Sequence, residues 1–188
     1  MKQSILILSL IFFSNCHSQN FDSKYWSWFE NKDIIYYTVT KTEVFYIKDL
    51  TFEIIWENKL VRNIKFGHLK GIKSMKIYKN KKLINTILNI PDDIGLGEIY
   101  FRFYDYNLDG NIDFTIPINE RWEKYFLFDP TKNSFQSCED WDYIRIAKLN
   151  KKNKQILTAQ DGNHEDNREL YQIIGNKIKK IEFDRNLN

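Results

Sequence analysis

Nine residues carry the chemistry most open to reading in this chain: Asp105-Tyr106-Asn107-Leu108-Asp109-Gly110-Asn111-Ile112-Asp113. Oxygen-bearing side chains fall at loop positions 1, 3, 5 and 9, glycine stands at 6 and an apolar residue at 8. That is the spacing with which a tight loop wraps oxygens around Ca²⁺. Asp105, Asn107, Asp109 and Asp113 would supply side-chain oxygens and Asn111 its backbone carbonyl, while Gly110 permits the sharp turn and Ile112 anchors the loop. Three carboxylates so close repel one another unless a cation lies among them. A hard ion at ~2.3–2.6 Å from six or seven oxygens turns that repulsion into binding. Position 12, where a bidentate Glu usually closes such a loop, is Ile116. The expected affinity is therefore weak, on the order of 10⁻⁴–10⁻³ M as in extracellular modules. The competing reading is a metal-free Asn/Asp/Gly turn.

The elements that must position this loop read as strands. Glu98-Ile99-Tyr100-Phe101-Arg102-Phe103 precedes it and Phe114-Thr115-Ile116-Pro117-Ile118 follows, so a β-hairpin connected by the loop is expected. The same reading continues over Ile34 to Thr40, Glu43 to Ile47, Phe52 to Trp56, Ser74 to Tyr78 and Leu83 to Leu88. Tyr125 to Phe128 and Ser134 to Ser137 flank Asp129-Pro130-Thr131-Lys132-Asn133, where Pro130 presets a turn. Gln155 to Ala159 follows, and Leu170 to Ile174 with Ile178 to Phe183 close on Gly175-Asn176, a two-residue hairpin signal. Ser137 to Tyr143 could form one helical turn. Only two alanines occur, Ala147 and Ala159, against 14 Phe and 11 Tyr, which disfavours a helical bundle. The expected class is all-β: antiparallel hairpins in a small or partial propeller-like assembly, with a β-sandwich as the alternative.

Of 188 residues, 1–18 read as an export signal and 19–188 as a single β domain. Lys2 precedes an apolar run from Ile5 to Phe13, long enough for a secretory signal and too short to span a bilayer. Phe13-Ser14-Asn15-Cys16 resembles the lipobox of bacterial lipoproteins, which would make Cys16 an acylated N-terminus. Cleavage after Ser18 is the other route. Either leaves Cys138 as the only thiol of the fold, so no internal disulfide is expected. The net charge of +3 is too small and dispersed to suggest nucleic acid.

The D-x-N-x-D-G-x-x-D pattern resembles the calcium loops of FG-GAP repeats in integrin-type propellers. Asp105-x-Asn107-Leu108-Asp109-Gly110, then Tyr125-Phe126-Leu127-Phe128-Asp129-Pro130-Thr131 and Phe135, is similar to a bacterial periplasmic family of calcium-loop, propeller-like proteins. Members of that family include immunity proteins that inhibit peptidoglycan hydrolases delivered by type IV secretion. Tyr171 to Ile178 resembles its C-terminal hairpin, so the likeness covers roughly residues 98–183. It implies a calcium-binding, non-enzymatic inhibitor in the periplasm or at the outer membrane, held there by a lipid on Cys16, with a peptidoglycan hydrolase as partner.

Other constellations lead to weaker chemistry. His68 and His164 stand far apart in no ligand spacing. Glu98, Glu120, Glu123, Glu139 and Asp140 could in principle supply a glycosidase-type acid pair. The runs Lys79–Lys82, Lys151–Lys154 and Lys177–Lys180 fall at turns, where charge discourages edge pairing. Tyr25, Trp26, Trp28 and Phe29 are either core or an exposed platform for a sugar or a protein. The platform reading makes the chain a lipid-anchored surface module that binds a glycan or another ligand.

Overall fold

A computed structural model of the chain describes residues 21–65, 67–162 and 167–183. The signal segment, Cys16 and His164 lie outside them. Among the described residues the structure is all-β and antiparallel, with two short 3-10 turns at Asn31–Asp33 and Glu139–Trp141. The second of these lies in the stretch expected to make one helical turn.

Three meanders follow one another along the chain. The first comprises β3 (Glu43–Ile47), β4 (Leu50–Asn63), β5 (Gly67–Lys79) and β6 (Lys82–Pro91). The second comprises β7 (Ile99–Tyr104), β8 (Asp113–Pro117), β9 (Glu123–Asp129) and β10 (Ser134–Ser137). The third comprises β11 (Ile146–Asn150), β12 (Gln155–Thr158), β13 (Leu170–Ile174) and β14 (Lys177–Ile181). Two strands from the start of the chain extend the later sheets. β1 (Ser27–Trp28) pairs with β11, and β2 (Ile35–Val39) pairs with β7 in the register Tyr37↔Phe101.

The second sheet is the middle layer, because its side chains are buried on both faces. Along β9, Phe126 and Phe128 face the first sheet while Tyr125 and Leu127 face the third. This explains why Tyr125-Phe126-Leu127-Phe128 is a continuous apolar run: a strand covered on both faces has no polar side to show. On one side of it, Phe45, Phe52, Phe103, Phe114 and Phe126 form a connected aromatic core; Phe45 stacks on Phe52 at 4.7 Å and Phe114 on Phe126 at 4.7 Å. Each such buried ring contributes ~1.5–3 kcal/mol by removing apolar surface from water. On the other side, Tyr104, Tyr106, Tyr125 and Trp141 meet Leu149, Ile156 and Ile173 of the third sheet.

Turn chemistry matches the hairpins. Asn80 and Lys81 both take positive φ to join β5 to β6, and Gly175-Asn176 joins β13 to β14 with Ile174 opposite Lys177. The Asp129 carboxylate accepts the Thr131 and Lys132 N–H groups and the Thr131 hydroxyl, which fixes the β9–β10 turn.

Two features go beyond the pattern expected from sequence. Ile146–Asn150 is a strand, although Lys148 and Asn150 interrupt its apolar residues. β4 and β5 are 14 and 13 residues long, and they run past both of their neighbours. β3 stops opposite Ile54 and β6 stops opposite Gly71, so residues 57–63 of β4 and 67–70 of β5 run on as a two-stranded arm beyond the sheet. Gly71 stands where the arm leaves the sheet; a Cβ there would meet the Ile90 carbonyl oxygen at 2.3 Å.

Candidate functional site

The nine-residue loop joins β7 to β8 as a hairpin connection, in the register Phe103↔Phe114 and Tyr104↔Asp113. Its backbone is wound around side-chain oxygens. The Asp105 carboxylate accepts the N–H groups of Asp109 and Gly110, each at 2.9 Å. Asn107 Oδ1 accepts the Asp109 N–H at 3.1 Å, and Asp109 Oδ1 accepts the Asn111 N–H at 2.8 Å. Gly110 adopts φ +91, a value costly for other residues, and Leu108 takes φ 57 beside it.

Asp113 and Asn107 tie this coil to the rest of the molecule. Asp113 is fully buried: Oδ2 accepts Tyr106 N–H at 2.9 Å and Asn107 N–H at 3.4 Å, while Oδ1 accepts Phe128 N–H at 2.8 Å. Burial, and after it the charge of Asp109, pushes this carboxyl up to about 8 against the opposing pull of those three donors. Asn107 is 1% exposed and donates to Asn176 Oδ1 at 2.7 Å, reaching from the middle sheet to the β13–β14 turn. The buried Trp141 indole donates to the Asn176 carbonyl oxygen at 3.0 Å, and the Asn176 amide donates in turn to the Phe128 carbonyl oxygen. The loop, the second 3-10 turn and β9 therefore meet at Asn176 of the third sheet's last turn.

The donor chemistry suits a hard cation at the rim of the loop. Asp105 and Asp109 carry carboxylate oxygens with lone pairs left after the N–H bonds above, since an ionised carboxylate offers about four acceptor sites. Asn107 Oδ1 and the Asn111 carbonyl are oxygen donors in the same coil. Asp113 could reach an ion only with the lone pairs its three N–H partners leave. Among the described residues no group of three or more His, Cys, Asp or Glu side chains is placed to hold a metal by itself. A cation here would draw on the Asn oxygens and the backbone as well.

The aromatic segment splits between core and surface. Trp26 packs edge-on against Phe21 at 5.2 Å, and Phe29 packs against Tyr104 at 5.0 Å. Tyr25 and Trp28 are 46% and 63% exposed, each with a lysine ammonium over its ring: Lys152 at 4.5 Å and Lys148 at 4.4 Å. Lys148 is itself buried and donates to the Phe21 carbonyl oxygen and to Asp22, which anchors this segment on the third sheet.

Two of the five acidic candidates share a cavity. Glu120 and Glu123 line a space of about 520 Å³ between the middle and third sheets, with Arg102, Arg121 and Arg145 beside them. Glu123 is held by an ion pair with Arg102 and by the Thr115 hydroxyl, which donates at 2.7 Å. Arg121 and Arg145 both lean on Asp161. Sequence reasoning had no means of bringing these arginines together, because they come from β7, the β8–β9 loop and the segment before β11. Cys138 sits half-buried beside the second 3-10 turn, and burial pushes its thiol up to about 11.

Comparison with known protein families, curated proteins and solved structures finds no match to this chain.

Proposed function

We propose that the chain is an exported, lipid-anchored, calcium-binding protein that does no catalysis itself and restrains a peptidoglycan hydrolase in the cell envelope. The observation that carries this reading is the loop at 105–113, with its side-chain oxygens turned into one coil and stitched to a second sheet through Asn107 and Asn176. The likeness of that loop and of the Asp129-Pro130 turn to periplasmic propeller-like inhibitors supports the partner class. Three successive antiparallel meanders, the last completed by a strand from the N-terminal side, support a partial propeller arrangement over a sandwich.

Asp105, Asn107, Asp109 and the Asn111 carbonyl would hold the ion, with Asp113 as the buried anchor beneath them. Calcium would supply positive charge among carboxylates that otherwise repel, making the loop harder to open. The chain's own residues do the rest. Trp141, Asn176 and Phe128 lock the loop to two sheets, so a surface built on them loses little entropy on binding. The carboxylate of Glu123, held by Arg102 and Thr115, is committed to structure, which supports a binding role for the cavity over an acid–base one.

The test has two readouts. Calcium at ~10 mM should raise stability by about 1.5–3 kcal/mol for a site in the 10⁻⁴–10⁻³ M range, and D105A with D109A should abolish the shift. Peptidoglycan digestion by a panel of glycosidase and amidase hydrolases should slow in the presence of the protein. Undiminished digestion across the panel would overturn the inhibitor reading.

Exposure of Tyr25 and Trp28 favours a second reading, a surface module whose aromatic pair stacks on a glycan. Binding on a glycan array that is lost in W28A, with no hydrolase slowed, would replace the first reading by this one.

A further inference from the structure

The arm at residues 57–70 is costly structure whose described tie to the rest of the molecule lies at its base, where the Lys70 carbonyl accepts the Asp92 N–H at 2.9 Å. A two-stranded ribbon standing alone is marginal in water, and nothing described between Asn58 and Lys70 is buried. Two of its apolar side chains are spent on solvent, Val61 at 40% exposed and Ile64, at the turn, fully exposed, while Leu60 and Leu69 are half-buried. The first sheet is complete without it, since β3 and β6 flank only the part of β4 and β5 that covers the aromatic core.

The same segment is basic. The chain has 28 Lys and Arg against 25 Asp and Glu. Lys59, Arg62, Lys65 and Lys70 lie in the arm with Glu57 as its one acid, so the remainder of the chain holds 24 of each sign. The projecting ribbon thus carries a net charge of +3 beside the exposed Val61 and Ile64. Lysines alone could be explained as protection of open strand edges. An exposed Val61 and Ile64 work against that purpose, because they make the edge stickier.

At the root of the arm a cavity of about 400 Å³ is lined by His68, Leu69 and Lys70 on one side and by Ile94 and Leu96 on the other. The 92–97 loop that forms its far wall is fixed by Asp92, which is 3% exposed and accepts the N–H groups of Gly95 and Gly97. The arm therefore rises from a firm socket.

We infer that this arm is the element by which the protein grips its partner, entering an acidic groove of a protein with Ile64 and Val61 leading and Lys59, Arg62 and Lys70 meeting carboxylates on the groove walls. The inference deepens the proposed function and rests on it for the partner class. Glycan-cleaving hydrolases carry paired carboxylates in an open cleft, and a basic ribbon complements such a cleft in sign. A membrane is the less fitting occupant. Phe21, where the described chain begins, packs on the third sheet against Leu157 and Leu170, whereas the arm belongs to the first sheet with the middle sheet between them. The arm and Phe21 thus belong to different sheets.

The experiment compares the full mature chain with two variants: one in which residues 58–69 are replaced by a two-residue Asn-Gly turn, and K59E with R62E in the intact arm. Far-UV circular dichroism and the calcium shift check that both fold. Each is assayed for slowing peptidoglycan digestion by the hydrolase panel, and for sedimentation with vesicles containing anionic phosphatidylglycerol. The inference expects the shortened chain to lose at least tenfold in inhibitory potency and the charge reversal to lose a comparable amount, with a weaker salt dependence. Inhibition by the wild type that survives both changes overturns the arm's role and leaves the function standing. No inhibition by the wild type overturns both together. Vesicle binding that disappears with the arm, without any loss of inhibition, assigns the arm to a lipid surface instead and overturns it as well.

Discussion

The loop at 105–113 and the arm at 57–70 are both connections within β-hairpins, yet they are built on opposite terms. In the loop nearly every polar group has an internal partner: Asp113 takes three N–H groups, Asp105 takes two, and Asn107 reaches across to Asn176. In the arm, strand pairing continues but burial stops. The loop is short because it turns around its own side chains, while the arm is long because nothing inside the molecule limits it. The contrast teaches where this protein keeps its stability and where it keeps its reach. Side-chain-to-backbone bonding in a buried setting makes a fixed point, and a ribbon held only along one side near its base makes a freer one.

The contrast breaks first at Asp113. D113A would orphan three buried N–H groups and leave a void, with an expected loss of ~3–5 kcal/mol and a melting temperature lower by roughly 10 °C or more. A melt within a few degrees of wild type would show that the loop is not the fixed point described. A smaller effect is expected at the stitch between sheets. N107A and N176A should each cost about 1–2 kcal/mol, and the double variant distinctly less than their sum, because both remove the same bond. Denaturant unfolding of the four-member cycle measures that coupling. On the arm, I64D should change stability by no more than ~0.5 kcal/mol, since it replaces a side chain already in water; limited proteolysis should cut first between residues 57 and 70 while the loop stays intact. The smallest effect concerns Cys138. Its thiol is pushed up to about 11 by burial, so the unreactive protonated form persists through neutral pH and the thiolate appears only as pH rises toward that value. Labelling with a thiol reagent at pH 7 should therefore be slow in the native protein and fast in denaturant.

Much of the architecture is legible in the residues themselves. Alternation and turn chemistry mark β7 with β8, β9 with β10 and β13 with β14, because Asn, Asp, Gly and Pro at a bend act locally. The ion loop's hairpin setting is legible for the same reason. Three things are not. The arm gives no strand signal, because Asn58, Lys59 and Arg62 break the alternation that a buried face imposes on a strand. β11 is hidden since Lys148 and Asn150 interrupt its apolar residues, and Lys148 turns inward to hold Phe21 and Asp22. Asp113 reads only as loop position 9, whereas its burial and its bond to Phe128 depend on β9 lying alongside, a long-range fact. The aromatic segment shows the limit most plainly: Trp26 and Trp28 stand two residues apart, and only one of them is packed against a ring.

Pairing of the earliest strands with much later ones constrains the order in which the molecule can assemble. Ser27 must wait for Leu149, 122 residues downstream, before its short strand has a partner, and Ile35 waits for Phe103. The meander from Glu43 to Pro91 can close as soon as it is made, but Ile35–Val39 stays unpaired until Ile99–Phe103 has emerged and Ser27–Trp28 until Leu149 has. Closing such distant contacts is slow relative to local hairpins, so a chain still threading its way out of a ribosome or a narrow channel would remain pliable around Ser27, and would stiffen there only once the β11 strand has followed it through.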